Sequence, residues 1–421
     1  MQVVFVSNYI SHHQIPFSEA MVKLLGEGNY TFVQTEPMEE ERKQMGWGGI
    51  NLPSYVRLPY DSPEEEAKCR RLILESDAVI FGGTEDESWI RPRLESGRFI
   101  MRYSERVYKD GQWKCITPRG LIKKYHDHTA FRKKPVYLLC SGAYVASDFG
   151  IFRAYPGKMF RWGYFPEFVP EDVDKLMAAK CGDGPVRILW AGRMIDWKHP
   201  EKAIEAAAFL KKKGVPFRLD FIGGGPMEES LREMASQRGL SEEVSFLGFR
   251  EPAQVREEMR KSDILLFTSD RREGWGAVAN EAMNSGCVVV ADAMIGAVPY
   301  LIRSGWNGAV YSDRDTVSCC GPRSLLEEWV EKLATDRRTR EYLARNAYAT
   351  IAEKWNASYA AENLIRLMGQ LMGEKTESLS EMNMNDTNVM ITDGFIAGPL
   401  SSEAPMQESR IRKNALRGLS S

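Results

Sequence analysis

Short apolar runs alternate with helix-like stretches along most of this 421-residue chain, and that alternation restricts the fold more than any single motif. In the first half the runs fall at 3–7, 31–34, 78–81, 99–103 and 136–140. Helix-like stretches at 15–25, 63–75, 89–96 and 119–132 separate them. The second half repeats the plan, with runs at 186–191, 218–222, 244–247, 264–268 and 288–291. Near-continuous apolar strands alternating with helices predict parallel sheets covered on both faces, an α/β fold. Pro200, Pro226 and Pro252 stand near the starts of three intervening helices, where a missing N–H costs nothing, and a fourth helix is expected to open near Gly276.

The length allows two domains, each with its own core. The Gly-, Asp- and Pro-rich segment 181–185 reads as the link between them, giving domains at 1–180 and 181–345. Helix continues through 346–372. Beyond it, residues 373–421 carry scattered apolar residues without a period and a basic end (Arg410, Arg412, Lys413, Arg417), so this tail is expected to be disordered. A net charge of −2 argues against a nucleic-acid partner. The seven cysteines show no metal-ligand spacing; Cys140 and Cys287 sit in apolar segments, a usage that fits a reducing cytoplasm. No run reaches the roughly 18 apolar residues of a membrane span, so any membrane contact is expected to be peripheral, at the inner face.

The chemistry concentrates at the ends of the second-half strands. The stretch EGWGAVANEAM (273–283) joins a strand to a helix and places Glu273 and Glu281 around a Gly274-Trp275-Gly276 turn. Such a turn aims the N–H groups of Gly276, Ala277 and Val278 at one point, which suits a phosphate, while the carboxylates suit sugar hydroxyls. The turn AGRMIDWK brings Gly192, Arg193 and Lys198 to the end of the first strand of this half, where two cations can neutralise a diphosphate. IGGGP adds Gly224 and Gly225 after the second strand, and FLGF adds Phe249 after the third. Ligands of open parallel sheets bind beyond the carboxyl ends of strands, so these turns converge on one site. Asp313 and Asp315 have the spacing of a metal-binding pair but lie in a polar loop away from that site, and no metal is expected.

These residues resemble the donor domain of the family-4 retaining glycosyltransferases. The likeness rests on GRMIDWK (192–198), FIGGGP (221–226), FLGF (246–249), the pair Glu273 and Glu281, and the small-residue continuation 282–302. It is specific over 184–312 and looser through FVSNY (5–9), the histidines at 12–13, YSER (103–106) and GYFPE (163–167). The resemblance implies a GT-B fold: two Rossmann-like domains facing a cleft, acceptor on the first and nucleotide sugar on the second, with the 346–372 helix crossing back to the first. It implies that Arg193 and Lys198 clasp the diphosphate, Glu281 holds the ribose and Glu273 lies near the sugar. A hexose would then pass, with retention and without a metal or other cofactor, to a glycan, polysaccharide or lipid-linked acceptor. The first half departs from the family. SNYISHHQIPF lacks the glycine pair many relatives carry after the first strand, and YSER stands where they carry a histidine. His12, His13 and Glu105 are therefore the acceptor-side candidates, with GGTEDE (82–87) and the GWGG turn (46–49) beside them. A nucleotide-sugar epimerase and a non-catalytic partner subunit are the competing readings; the intact Arg193, Lys198, Glu273 and Glu281 argue against both.

Overall fold

The computed structural model describes residues 1–40, 51–112, 117–180, 184–312, 325–373 and 398–400. Asp313, Asp315, the GWGG turn and nearly all of the tail lie outside the described residues. The chain forms two compact units, one of Met1–Glu167 with the residues from Asn356 onward, the other of Phe168–Trp355.

In the first unit, β1 (Val3–Ser7), α1 (Ile15–Leu25), β2 (Tyr30–Gln34), β3 (Val56–Arg57), α2 (Pro63–Glu75), β4 (Ala78–Phe81) and α3 (Arg91–Ser96) follow in order. Then come β5 (Ile100–Ser104), α4 (Pro118–Asp127), β6 (Val136–Ser141), α5 (Val145–Ile151) and β7 (Met159–Trp162). The strands are all parallel, in the order β3-β2-β1-β4-β5-β6-β7. β1 and β4 are wholly buried, so both faces must be covered, as their unbroken apolar sequences require. Local signals set the helix starts. Ser62 Oγ accepts the N–H of Glu65 at 3.1 Å ahead of Pro63, and Glu64–Glu66 put negative charge in the first turn of α2.

The second unit runs through α6 (Val173–Lys180), β8 (Val186–Ala191), α7 (Glu201–Lys212), β9 (Phe217–Ile222), α8 (Glu228–Gln237), β10 (Val244–Phe246) and α9 (Pro252–Lys261). It continues with β11 (Ile264–Phe267), α10 (Val278–Asn284), β12 (Val288–Asp292), α11 (Val298–Leu301), β13 (Ala309–Tyr311), α12 (Leu326–Thr335) and α13 (Arg337–Glu353). Its sheet, also parallel, is ordered β10-β9-β8-β11-β12-β13. The order reverses direction between β8 and β11, the kind of point where such sheets hold ligands.

The chain then returns. α14 (Ala357–Met372) belongs to the first unit and packs on α1. Its buried positions Ala357, Ala360, Ala361, Leu364 and Met368 trace one helical face. This is the expected crossover helix, but its boundary is corrected. Helix does not run unbroken from 346: α13 ends at Glu353 and α14 starts anew at Ala357. The break has two causes. Trp355 is buried in the second unit against Trp275 (ring centroids 5.5 Å) and Tyr300 (6.1 Å), and Asn356 Oδ1 caps α14 by accepting the N–H of Tyr359 at 2.9 Å.

The first boundary also moves, from 180 to Glu167. α6 lies in the second unit because Leu176 and Met177 enter its core and Lys180 Nζ donates to the carbonyls of Met259 and Ser262 at the end of α9. In the tail, Gly398 and Pro399 are buried and the N–H of Leu400 donates to the Arg161 carbonyl at 3.1 Å, so these three residues depart from the expected disorder.

Replacing Trp355 by alanine removes one of the two tryptophans of the Trp275–Tyr300–Trp355 stack and should cost about 3–5 kcal/mol. The urea midpoint of the second unit should fall accordingly; an unchanged midpoint would show that the stack does not hold this junction.

Candidate functional site

The site is built where the loops after β8, β9 and β11 meet. Glycine makes the meeting possible. A side chain at Gly223 (φ +116°) would overlap the Gly192 carbonyl, and one at Gly225 (φ +154°) would come within 2.6 Å of the Met194 carbonyl. In this bare-backbone contact the N–H of Met194 donates to the Gly224 carbonyl at 2.9 Å and the N–H of Met227 to the Met194 carbonyl at 3.1 Å. The IGGGP glycines are therefore spent on loop-to-loop packing. Of the three, Gly224 alone has ordinary room for a side chain, with Glu228 Oε2 at 3.5 Å.

The packed β8 loop carries Arg193, which is exposed, and Lys198 at the end of a single 3₁₀ turn (Asp196–Lys198). A second tie comes from the end of β11. Thr268 Oγ1 donates to the Lys198 carbonyl at 2.7 Å and accepts from the buried Trp190 indole at 2.9 Å. The Lys198 ammonium then meets Glu273 Oε2 at 2.6 Å, and Ser269 Oγ donates to the same oxygen at 3.0 Å. Both charged side chains are largely buried, so this is a partly desolvated pair beside the reversal point of the sheet, where charge acts more strongly than in water. The sequence brought Lys198 and Glu273 to one crevice; the structure joins them directly.

His199 was missed by the sequence reading. It adopts a left-handed conformation (φ +48°), and its ring lies between two carboxylates, with Nδ1 donating to Glu201 Oε1 at 2.9 Å and Nε2 3.7 Å from Asp270 Oδ2. Hydrogen bonding toward Asp270 and then Glu201 raises its pKa to about 9, so the imidazolium is a third cation beside Arg193 and Lys198 at neutral pH. The signal available was the WKHP sequence with acids at 201 and 270, none of it specific.

The EGWG turn requires corrections. Trp275 does not line a site: its side chain is fully buried on Tyr300 and Trp355, with the indole N–H donating to Asn280 Oδ1 at 2.9 Å. A tryptophan between two glycines reads as a ligand platform, but here it anchors the turn from behind. α10 begins at Val278, with Ala277 as its cap, and spans seven residues, so the N–H groups of Gly276, Ala277 and Val278 enter a short helix with a weak dipole. Gly276 keeps φ +88° because a side chain there would overlap Phe267, and Gly274 is buried. Glu281 lies in the first turn of α10, half-buried, and burial pushes its carboxyl up to about 7. Phe249 is exposed at the end of its loop.

In the first unit, Tyr103 at the end of β5 knits the neighbouring loops, with its hydroxyl 2.8 Å from Ser7 Oγ. Gly83 (φ +80°) is required there because a side chain would collide with both. His12 and His13 stack on the turn before α1, with ring centroids 3.9 Å apart. Glu105 is engaged at both oxygens, by Tyr164 at 2.7 Å and Lys109 at 2.5 Å. Within GGTEDE, Asp86 caps the N–H of Ser88 at 2.9 Å and Glu87 grips Arg102 at 2.8 and 2.5 Å. Two of its three acids thus have structural tasks.

The raised pKa of His199 makes a test. Its stabilisation is complete below the unfolded value of 6.5 and is lost as pH rises through about 9. Urea unfolding across that window should show the wild-type midpoint falling and a His199→Gln chain staying flatter; parallel curves would mean that the imidazolium contributes nothing to the loop.

Residues 180–350 match the family described as Glycosyl transferases group 1. Over 45% of this chain and 47% of the relative, the sequence is 27% identical to a Salmonella typhimurium protein named as a colanic acid biosynthesis glycosyltransferase, WcaL. Over 43% of this chain and 45% of the relative, it is 30% identical to an alpha-D-kanosaminyltransferase of Streptomyces kanamyceticus. The chain spans about half the length of these curated relatives. The crystal structure of Anabaena HepE in complex with UDP is similar with a TM-score of 0.62, covering 88% of this chain and 100% of that one at 16% identity, a likeness of fold. A second HepE structure, in complex with UDP-glucose, gives 0.57 over the same shares at 15% identity. The region 180–350 thus matches the glycosyl transferases group 1 family, and the two parallel-sheet units share the GT-B fold of HepE.

Proposed function

We propose that the protein is a retaining, metal-independent glycosyltransferase that moves a hexose from a nucleoside diphosphate sugar to a glycan, polysaccharide or lipid-linked acceptor. The observation that carries this reading is the Lys198–Glu273 pair, with Arg193 on the same loop, at the carboxyl ends of β8 and β11. The UDP and UDP-glucose named for HepE support a uridine nucleotide sugar, and the colanic acid named for WcaL supports a polysaccharide acceptor.

In this reading the diphosphate replaces Glu273 as the main partner of Lys198, and Arg193 adds a planar, two-pronged contact. As the bond from the sugar's anomeric carbon to the diphosphate breaks, negative charge grows on the leaving oxygen, and these cations stabilise it more than they stabilise the bound substrate. The acceptor hydroxyl attacks from the same face and its proton passes to the departing phosphate oxygen, so no protein nucleophile is needed. Glu273, released in part from Lys198, orients the sugar, and Glu281 accepts the ribose hydroxyls. The N–H groups of Gly276, Ala277 and Val278 contact phosphate or sugar, Gly192, Gly224, Gly225 and Phe249 border the nucleotide, and the first unit, with His12 and His13, holds the acceptor.

Arg193→Ala and Lys198→Ala should each lower turnover by about 10²–10³, measured as nucleoside diphosphate release in the presence of acceptor; near-normal rates in both would overturn the assignment. Activity should also survive excess chelator, and the product's anomeric proton coupling should match the donor's configuration. Loss of activity in chelator, restored by Mg²⁺ and abolished in Asp313→Ala, would move the phosphate charge compensation to a metal.

A further inference from the structure

The outer face of α4 is built the wrong way round for a helix of a water-soluble fold. Leu121, Ile122 and Tyr125 are 40%, 59% and 56% exposed, three of the nine large hydrophobic side chains exposed among the described residues. At 3.6 residues per turn they fall on one stripe. Gly120, Lys124 and Asp127 fall on the opposite face, and they are the half-buried or buried positions of this helix. Burial lowers the Lys124 pKa, and Asp127 is held by Arg91 at 3.1 Å and Lys123 at 3.1 Å. Lys124 and Asp127 thus face inward while the three apolar side chains face water. Single exposed hydrophobics are ordinary, but a contiguous stripe on one helix marks a docking surface.

Charge identifies what docks. From 118 to 134 the chain carries six lysines and arginines against one carboxylate, the buried Asp127. Arg119 and Lys123 flank the stripe and are exposed, as are Arg132 and Lys133 just beyond the helix. A short helix with Leu, Ile and Tyr outward and basic residues beside them has the chemistry of an interfacial anchor, apolar side chains entering the acyl boundary while cations meet anionic headgroups. No helix among the described residues is long and apolar enough to cross a membrane, so such an anchor would lie on the surface. We propose that α4 seats the protein on an anionic phospholipid bilayer through Leu121, Ile122 and Tyr125, with Arg119, Arg132 and Lys133 supplying the electrostatic attraction.

The test uses the full chain and sedimentation with vesicles of phosphatidylcholine alone or mixed in equal parts with phosphatidylglycerol. The wild-type protein should bind the mixed vesicles at least about tenfold more tightly than the neutral ones, weaken with salt, and show slowed amide exchange in 118–127 when bound. The triple variant Leu121→Ser, Ile122→Ser, Tyr125→Ser should lose about tenfold or more in binding to the mixed vesicles, with its thermal unfolding and nucleotide binding unchanged. The proposal is overturned if the wild-type protein stays in the supernatant, if the exchange protection falls elsewhere than on α4, or if the triple variant sediments like wild type. It is likewise overturned if the same substitutions instead dissociate a dimer in light scattering, since a second copy would then be the occupant.

Discussion

The site loops of the second unit hold their shape because backbone can touch backbone at Gly223 and Gly225. With any side chain there, the β9 loop would stand off from the Gly192–Met194 segment, the Met194–Gly224 and Met227–Met194 hydrogen bonds would open, and Arg193 would lose its footing. The tie from Thr268 to the Lys198 carbonyl depends on the same placement, since it fixes the far end of that loop to the end of β11. A chain of small, uncharged contacts therefore positions the charged ones. Glycine here is a packing element, and its cost in backbone entropy is offset by hydrogen bonds between loops that are distant in sequence.

Lys198 and Glu273 neutralise one another. A lone ammonium in so desolvated a place would be costly, and a lone carboxylate equally so. Pairing at 2.6 Å offsets the desolvation of both. His199 adds a further positive charge to the loop, and its partners are Asp270 and Glu201 rather than Glu273.

What could be read from the residues follows from what each element needs. The central strands declare themselves through continuous apolar sequence because both their faces are buried. The strands missed, β3, β7 and β13, are all sheet edges of two to four residues, too short to show a pattern. Arg193, Lys198, Glu273 and Glu281 were singled out by type and position, and of these the structure joins Lys198 and Glu273 directly. Those defined by a partner distant in sequence were not: Ser269 and Thr268 are unremarkable until Glu273 and Lys198 stand beside them, and His199 is an ordinary histidine until two acids bracket it. Trp275 erred in the opposite sense, since glycine neighbours suggested a ligand where the partners are Tyr300 and Trp355. The boundary falls ahead of 181–185 because Leu176 and Met177 of α6 pack into the second core, a contact that composition does not reveal.

The return of α14 to α1 makes the first unit discontinuous in sequence, whereas the second is a single uninterrupted stretch. On a ribosome the residues of Met1–Glu167 emerge first, yet the α1 surface that α14 covers stays bare until more than 180 further residues have been made. Loop closure of that span is slow and must await the intervening unit, which can complete its own core meanwhile. The unit written last in the order of its packing is thus the one begun first, and the order of assembly in this protein runs from the middle of the chain outward.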